Sequence, residues 1–138
     1  MKKSLLSLIV AFALMGILLS ACSGGAPADV AGEWRLVSYG PVSNQKPVEQ
    51  DTSITFSADG RFNGNLGCNT FGGSYKVSGA KIEFGAGMTT LMACQPPIDQ
   101  QESAVLAVLA DTAAFTLTGD TLTIVSADGS SSVRLMKK

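Results

Sequence analysis

Residues 53–66, with the sequence SITFSADGRFNGNL, decide the fold of this 138-residue chain. Ile54 and Phe56 alternate with polar neighbours, and Phe62 and Leu66 continue the apolar pattern after a short break. Alternation with a period of two predicts half-buried β-strands. The break contains Asp59-Gly60, a pair that readily adopts the positive φ angles of a tight turn. The stretch therefore predicts two strands of one hairpin.

The same signal recurs outward from this hairpin to both sides. Further strands are predicted around Trp34 and Leu36, Tyr75 and Val77, Ile82 and Phe84, Phe115 and Leu117, Leu122 and Ile124, and Val133 and Leu135. The phrase Ser-Ala-Asp-Gly occurs at 57–60 and again at 126–129, each time between two strands. We interpret this repetition as one turn chemistry used twice, not as a duplicated domain.

One helix interrupts the strands. Pro96-Pro97 stops regular strand pairing, because proline has no amide proton to donate. Asp99 and Glu102 have the spacing of a capping box, and Ile98, Val105, Leu106 and Leu109 share one face at helical spacing. The expected fold is α+β and mostly antiparallel: a curved sheet or partial barrel of about eight strands with one helix packed on it.

The N-terminus resembles a bacterial lipoprotein signal. Lys2 and Lys3 precede an apolar run over 5–19, and Leu19-Ser20-Ala21-Cys22 reads as a lipobox. An ordinary secretory signal with a chance cysteine, or a short membrane anchor, are the alternatives, although the run is shorter than the ~20 residues of a membrane span. We expect a lipoprotein signal peptide over 1–21, a flexible tether over 22–31 and a folded domain over 32–138.

Acylation of Cys22 would make the membrane a partner, since two or more acyl chains anchor a protein stably. By resemblance to bacterial lipoprotein sorting, Ser23 after the cysteine favours the outer membrane, with the domain facing the periplasm. Without residues 1–21 the chain keeps eight basic and eleven acidic residues, for a net charge of -3. The basic residues are scattered singly, which argues against nucleic acid as a partner.

Cys68 and Cys94 are the cysteines that remain after Cys22. In an oxidising periplasm each has the other as its available intramolecular partner, so a structural disulfide is expected. A redox-active pair is the alternative. It is weakly supported, because the two are far apart in sequence, form no C-x-x-C motif, and have no histidine to lower a thiol pKa.

The residues around these cysteines carry a family resemblance. Gly67-Cys68-Asn69, Gly73 and Tyr75, the segment 88–94 (MTTLMAC), and Trp34 after Gly32 resemble the signature of the META domain family, which includes a heat-shock lipoprotein. The resemblance covers about residues 32–136. It implies a compact, sheet-rich fold with one helix and a link to envelope stress, heat shock or drug tolerance. It implies no established catalytic activity.

Catalysis is not expected. The chain contains no histidine, which excludes Ser-His-Asp and Cys-His catalysis and ordinary His-ligated zinc sites. Asp59, Asp120 and Asp128 are explained as turn residues, and Asp99 and Glu102 as helix caps. No spacing singles out two of the remaining glutamates as an acid and base pair. We therefore expect no enzyme activity, no metal site and no cofactor.

Two functions remain open. The first is a binding or scaffold protein of the envelope, whose partner is an envelope protein met during stress. The second is a carrier of a small apolar ligand, a lipid or drug, inside a barrel-like cavity. Phe56, Phe62, Phe84, Phe115 and Leu117 suffice to fill a small barrel, which favours the first. Asn69, Thr70, Thr89 and Thr90 either fix a loop, as glycine-rich turns usually do, or form a recognition surface.

Overall fold

The structure is a computed structural model that describes residues 29–138. The predicted signal peptide, Cys22 and the first part of the predicted tether lie outside the described residues. Helix α1 spans Ile98–Val108. The strands are β1 (Gly32–Pro41), β2 (Lys46–Pro47), β3 (Ser53–Phe56), β4 (Arg61–Asn65), β5 (Thr70–Ser78), β6 (Lys81–Phe84), β7 (Met88–Thr89), β8 (Thr112–Thr118), β9 (Thr121–Val125) and β10 (Ser131–Lys137).

Eight of these strands form a closed antiparallel barrel. The order around the barrel is β1, β3, β4, β5, β6, β8, β9 and β10, and pairing of β10 with β1 completes the ring. The short strand β2 pairs with β1, and β7 pairs with β5. The prediction of a mostly antiparallel barrel of about eight strands with one helix is confirmed, and the ring is complete where the sequence allowed a partial barrel.

The barrel interior is filled by side chains from the alternating strands. Ile54 and Phe56 of β3 are buried, and their partners across the hairpin are Gly64 and Phe62. Of the residues expected inside, Phe56, Phe62, Phe84 and Phe115 are buried, and Leu117 packs partly buried against them. Burial of such side chains removes apolar area from water and is the main stabilising contribution to the fold.

The repeated Ser-Ala-Asp-Gly phrase makes the same turn twice. The Gly60 amide donates to the Ser57 carbonyl at 3.0 Å, and the Gly129 amide donates to the Ser126 carbonyl at 2.8 Å. Both glycines have positive φ, 82° and 73°, a conformation that other residues adopt with strain. The two copies join β3 to β4 and β9 to β10, as the sequence predicts for a shared turn.

The ordered domain begins earlier than predicted. Val30 lies within the segment expected to be a flexible tether, yet it is buried in the core. Its carbonyl accepts a hydrogen bond of 3.0 Å from the indole nitrogen of Trp34, which satisfies the polar atom of that buried ring. The domain therefore includes residues N-terminal to Gly32.

The barrel has two distinguishable ends. At the first, which we call the near end, the chain enters β1 at Gly32, and Lys137 of β10 pairs with Trp34. At the opposite end, which we call the helix end, β4 passes to β5 through residues 66–69, and α1 lies against that loop. The chain entering at Gly32 and the helix therefore occupy opposite ends of the barrel.

Helix α1 forms where predicted, but its capping was predicted wrongly. Pro97 occupies the N-cap position and supplies no side-chain cap, while Asp99 lies inside the first turn, where its Oδ1 accepts the Gln100 amide at 2.7 Å. Glu102 does not return to the helix start, because it is buried and bonded to Asn69. The buried face includes Gln101 and Glu102 beside Val105 and Val108, so it is partly polar.

Candidate functional site

Asn69 lies at the centre of a hydrogen-bond network at the helix end. Its side-chain oxygen Oδ1 accepts hydrogen bonds from the Thr90 hydroxyl, at 2.7 Å, and from the Met92 backbone amide, at 2.8 Å. Its side-chain nitrogen Nδ2 donates to Glu102 Oε2 at 2.7 Å and lies 3.2 Å from Cys94 Sγ. One side chain thus joins the 66–69 loop, the 88–94 segment and the helix.

Glu102 completes this network from the helix. Its Oε1 accepts the Asn69 backbone amide at 2.8 Å, so both carboxylate oxygens bind Asn69. The side chain is buried and forms no ion pair within residues 29–138. Burial of a carboxylate is costly without compensating hydrogen bonds. The two Asn69 donors supply that compensation. The Asn69–Glu102 pair therefore has a structural role: it joins the 66–69 loop to α1.

Gln101, the neighbour of Glu102, bonds the helix to the same 66–69 loop and to a second loop at Glu49. It is fully buried, its Nε2 donates to the Leu66 carbonyl at 2.8 Å, and its Oε1 accepts the Glu49 amide at 2.9 Å. Sequence reasoning missed both helix residues as functional positions. The available signal was two polar residues on the helical face between Ile98 and Val105.

A disulfide joins Cys68 to Cys94, with their Cα atoms 6.1 Å apart. It links the 66–69 loop to the 88–94 segment, beside the Asn69 network. The two sulfurs and a Glu102 oxygen lie within 4.8 Å of one another, a grouping that could hold a metal if the cysteines were free. In the disulfide neither sulfur is a thiolate, the form that binds metals.

Of the predicted recognition residues, Asn69 is buried, whereas the three threonines are exposed. Asn69 is only 7% exposed, so it cannot contribute to a recognition surface. Thr70, Thr89 and Thr90 are exposed, but the Thr90 hydroxyl is occupied by Asn69 and accepts the Thr70 amide at 3.1 Å. The structure therefore places Asn69 and Thr90 in the scaffold.

The 88–94 segment instead exposes apolar side chains. Leu91 is 93% exposed, Met88 85% and Met92 61%. Together with Ile98, they are the large hydrophobic residues of the stretch 85–98. The same stretch, 85–98, contains no charged residue. We call Met88, Leu91 and Met92 the apolar surface. Hydrogen bonds to the buried Asn69 side chain fix the segment that carries it. Exposed apolar patches mark interaction sites.

A cleft opens in the barrel wall beside this surface. The pairing of β6 with β8 ends at Glu83 and Thr112, after which residues 85–89 follow β5 while the chain before β8 leads back to the helix. The gap has a volume of about 420 Å³ and is open to solvent. Phe62, Phe71 and Phe84 line it, together with Leu106, Leu109 and the glycine-rich stretch 85–87.

The carrier alternative expects a cavity inside the barrel, and the cleft lies elsewhere. The barrel axis is filled by the core, so the carrier alternative finds no cavity there among the described residues. The space that exists lies in the wall, in the usual size range of sites for small molecules.

The fold and site define a small antiparallel β-barrel whose helix and surface segment are fastened at one end by a disulfide and a buried polar network. The sequence matches the META domain over residues 28–138, and the chain belongs to that family. The family and the barrel fit a non-catalytic protein of the envelope type.

Solved structures share this fold. An NMR structure of a protein from Burkholderia xenovorans is 24% identical, with a TM-score of 0.63, covering 78% of this chain and 81% of that one. A crystal structure of a DUF4847 family protein from Bacteroides vulgatus ATCC 8482 is 15% identical, with a TM-score of 0.57, covering 78% and 93%. No curated protein sequence matches significantly. No helix within residues 29–138 has the length and apolarity needed to cross a bilayer.

Proposed function

We propose that this protein is a non-catalytic lipoprotein of the bacterial envelope that binds an envelope protein through the apolar surface. The lipobox at 19–22 supports a lipid anchor on Cys22, and Ser23 supports the outer membrane. The resemblance to stress-linked members of the family supports a role in envelope stress or drug tolerance.

The observation that carries the proposal is the rigid exposure of Met88, Leu91 and Met92. A partner that covers these exposed methionine and leucine side chains removes their apolar surface from water, which favours binding. Their segment is held by the disulfide and by Asn69, so little backbone conformational entropy remains to be lost on binding. Methionine also adapts its shape to different apolar partners.

The position of the apolar surface supports a protein partner over the anchoring membrane. The chain enters the barrel at the near end, whereas the 88–94 segment is bonded at the helix end to the 66–69 loop, which in turn is bonded to α1. A lipid on Cys22 would attach the protein to the membrane from the near end. The apolar surface lies at the opposite end of the barrel, away from the point of attachment.

Methionine oxidation in isolated envelopes tests this proposal. Dilute peroxide oxidises methionine according to its accessibility, and mass spectrometry measures each site separately. We expect Met88 and Met92 to be oxidised several-fold more slowly in envelopes than in the purified protein. A free methionine-containing peptide added to both samples provides the internal control and normalises the peroxide dose. Equal rates in the two samples, after this normalisation, would show that the apolar surface is free and would contradict the proposal.

The anchor is tested separately on the same material. Mass spectrometry of the mature protein is expected to show acyl chains on Cys22, and Cys22→Ser is expected to release the protein from the membrane fraction. An unmodified, soluble wild-type protein would contradict the anchor. The role of the apolar surface depends on the methionine oxidation test instead.

The wall cleft favours a second function, the carriage of a small apolar ligand. Its volume of about 420 Å³ suits a drug-sized molecule, and three phenylalanine rings line it. Phe62 and Phe84 lie with ring centroids 5.3 Å apart, and Phe62 and Phe71 lie 6.0 Å apart, so the aromatic lining is continuous. Binding of a neutral aromatic probe at residues 85–89 would support this function, and its absence would contradict it.

A further inference from the structure

Asp111 lies at the wall cleft and makes no side-chain hydrogen bond or ion pair within residues 29–138. It is exposed, and it is the single ionisable residue among those that line the cleft. The remaining lining consists of phenylalanine, leucine, methionine, alanine, glycine and one threonine, with no lysine or arginine. A cleft whose side chains are mostly apolar and include one carboxylate is complementary to a ligand with one positive charge.

The backbone holds Asp111 in an uncommon conformation. Its φ of 53° makes it the one non-glycine residue with positive φ in the described chain. The Phe84 amide donates to the Asp111 carbonyl at 2.8 Å, which fixes residue 111 to the end of β6 beside the cleft. Aspartate tolerates this conformation better than most residues, although glycine and asparagine adopt it at lower cost. The backbone of residue 111 is therefore fixed at the edge of the cleft, within side-chain reach of a ligand bound there.

We propose that the wall cleft binds a small apolar or aromatic molecule that carries a single positive charge, with the charge placed at Asp111. The proposal rests on the second function given above and names its ligand class. The apolar part would lie over Phe62, Phe71 and Phe84, which contribute by burial and by the attraction of aromatic rings for cations. Asp111 would then determine specificity.

The charge of the whole domain agrees with this preference. Residues 29–138 carry eight basic and eleven acidic side chains, so the domain has a net charge of -3 and attracts cations at long range. Because Asp111 is exposed to solvent, its pairing with a cation is screened and is expected to change affinity modestly, by about two- to five-fold.

Three probes that share one naphthalene ring test the proposal: 2-naphthylmethylamine, which is an ammonium ion at neutral pH, the neutral 2-naphthylmethanol, and the anionic 2-naphthoate. Each is titrated by NMR into the chain from residue 22 onward with Cys22→Ser, which retains every described residue. We expect shifts of the Ala86, Gly87 and Ala110 amides. The amine is expected to bind about two- to five-fold more tightly than the alcohol, and the naphthoate more weakly than either.

Two variants identify the charge that is responsible. Asp111→Asn keeps a residue that tolerates positive φ and removes the charge, so the amine and the alcohol are expected to bind equally. Glu83→Gln removes an exposed charge on β6 that does not line the cleft, and the preference for the amine is expected to remain. Loss of the preference in Glu83→Gln as well would assign it to the general field of the domain and overturn the role of Asp111.

The outcomes separate this inference from the carrier function. Equal binding of all three probes to the cleft of the wild-type chain would overturn the charge preference and leave the carrier function intact. Binding of no probe at residues 85–89 and 110–111 would overturn both. Unchanged affinity of the alcohol in Asp111→Asn would confirm that this variant keeps the cleft folded.

Discussion

Asn69 and Glu102, 33 residues apart in the chain, are joined by two hydrogen bonds of 2.8 and 2.7 Å. The bonds connect a loop of the barrel to the helix, and the Asn69 oxygen extends the connection to Thr90 and Met92. Two buried side chains therefore fix the segment that carries the apolar surface. This arrangement explains why an exposed apolar segment between β7 and α1 has a defined conformation.

Asn69→Ala is expected to lower the free energy of unfolding by about 2–3 kcal/mol, because Glu102 Oε2, the Thr90 hydroxyl and the Met92 amide each lose the Asn69 side chain as a partner. Urea denaturation measures this loss. Asn63→Ala, on the exposed face of β4, is the matched control and is expected to change stability by less than about 0.5 kcal/mol. Equal effects of the two substitutions would contradict the role given to the Asn69 network.

Gln101→Leu is expected to destabilise the protein by about 1–3 kcal/mol although it increases apolar volume, because the Leu66 carbonyl and the Glu49 amide lose their partner. Gln100→Leu, at the exposed neighbouring position, serves as the control. Thermal unfolding of both variants measures the difference. A Gln101→Leu protein as stable as Gln100→Leu would show that the two bonds contribute nothing.

Replacing both Cys68 and Cys94 with alanine is expected to cost about 3.5 kcal/mol in the chain-entropy model of a loop of this length. The Thr90 and Met92 amides, which bond near the disulfide, are expected to exchange hydrogen faster. Hydrogen exchange measured by NMR checks the local effect. Unchanged exchange at both amides would show that the Asn69 network fixes the segment without the disulfide.

Asp128 makes stability depend on pH in the acid range. Hydrogen bonds from the Ser126 hydroxyl and from the amide and hydroxyl of Ser130 lower the pKa of its carboxyl from 3.8 to about 2. The unfolded chain therefore binds the proton more readily, so this contribution is present above pH 3.8 and is lost as the pH falls toward 2.

Asp128→Asn tests this dependence. We expect the variant to be less stable than the wild-type protein at pH 6, and the difference in urea midpoint to shrink as the pH falls to about 2. An NMR titration of the Asp128 carboxyl provides the direct reading, and Ser130→Ala is expected to move its pKa upward. A difference in midpoint that stays constant across this range would contradict the assigned cause.

The strands were predictable because their signal is local. Ile54 and Phe56 alternate with polar residues, and the Ser-Ala-Asp-Gly turns specify how neighbouring strands connect, so the sequence predicts most of the barrel. Closure by β10 and β1 was not predictable, because that pairing joins residues such as Trp34 and Lys137 from opposite ends of the chain.

The site was harder to predict because its chemistry depends on tertiary contacts. Glu102 has the spacing of a helix cap, and only the position of Asn69 in space shows that it binds there instead. Asn69 was considered both as a loop former and as a surface residue, and its burial decides between the two. The cleft follows from the point where β6 leaves β8, which no residue pattern specifies.

Site-specific photo-crosslinking in growing cells tests the central claim, that the apolar surface binds an envelope protein, most directly. A photoreactive phenylalanine derivative replaces Leu91 at the apolar surface or, as the control, exposed Thr116 on β8. We predict discrete protein adducts from position 91 and none from position 116, with the adducts reduced when Met88 and Met92 are changed to serine. Equal labelling from the two positions, or no adduct from position 91, would contradict the claim.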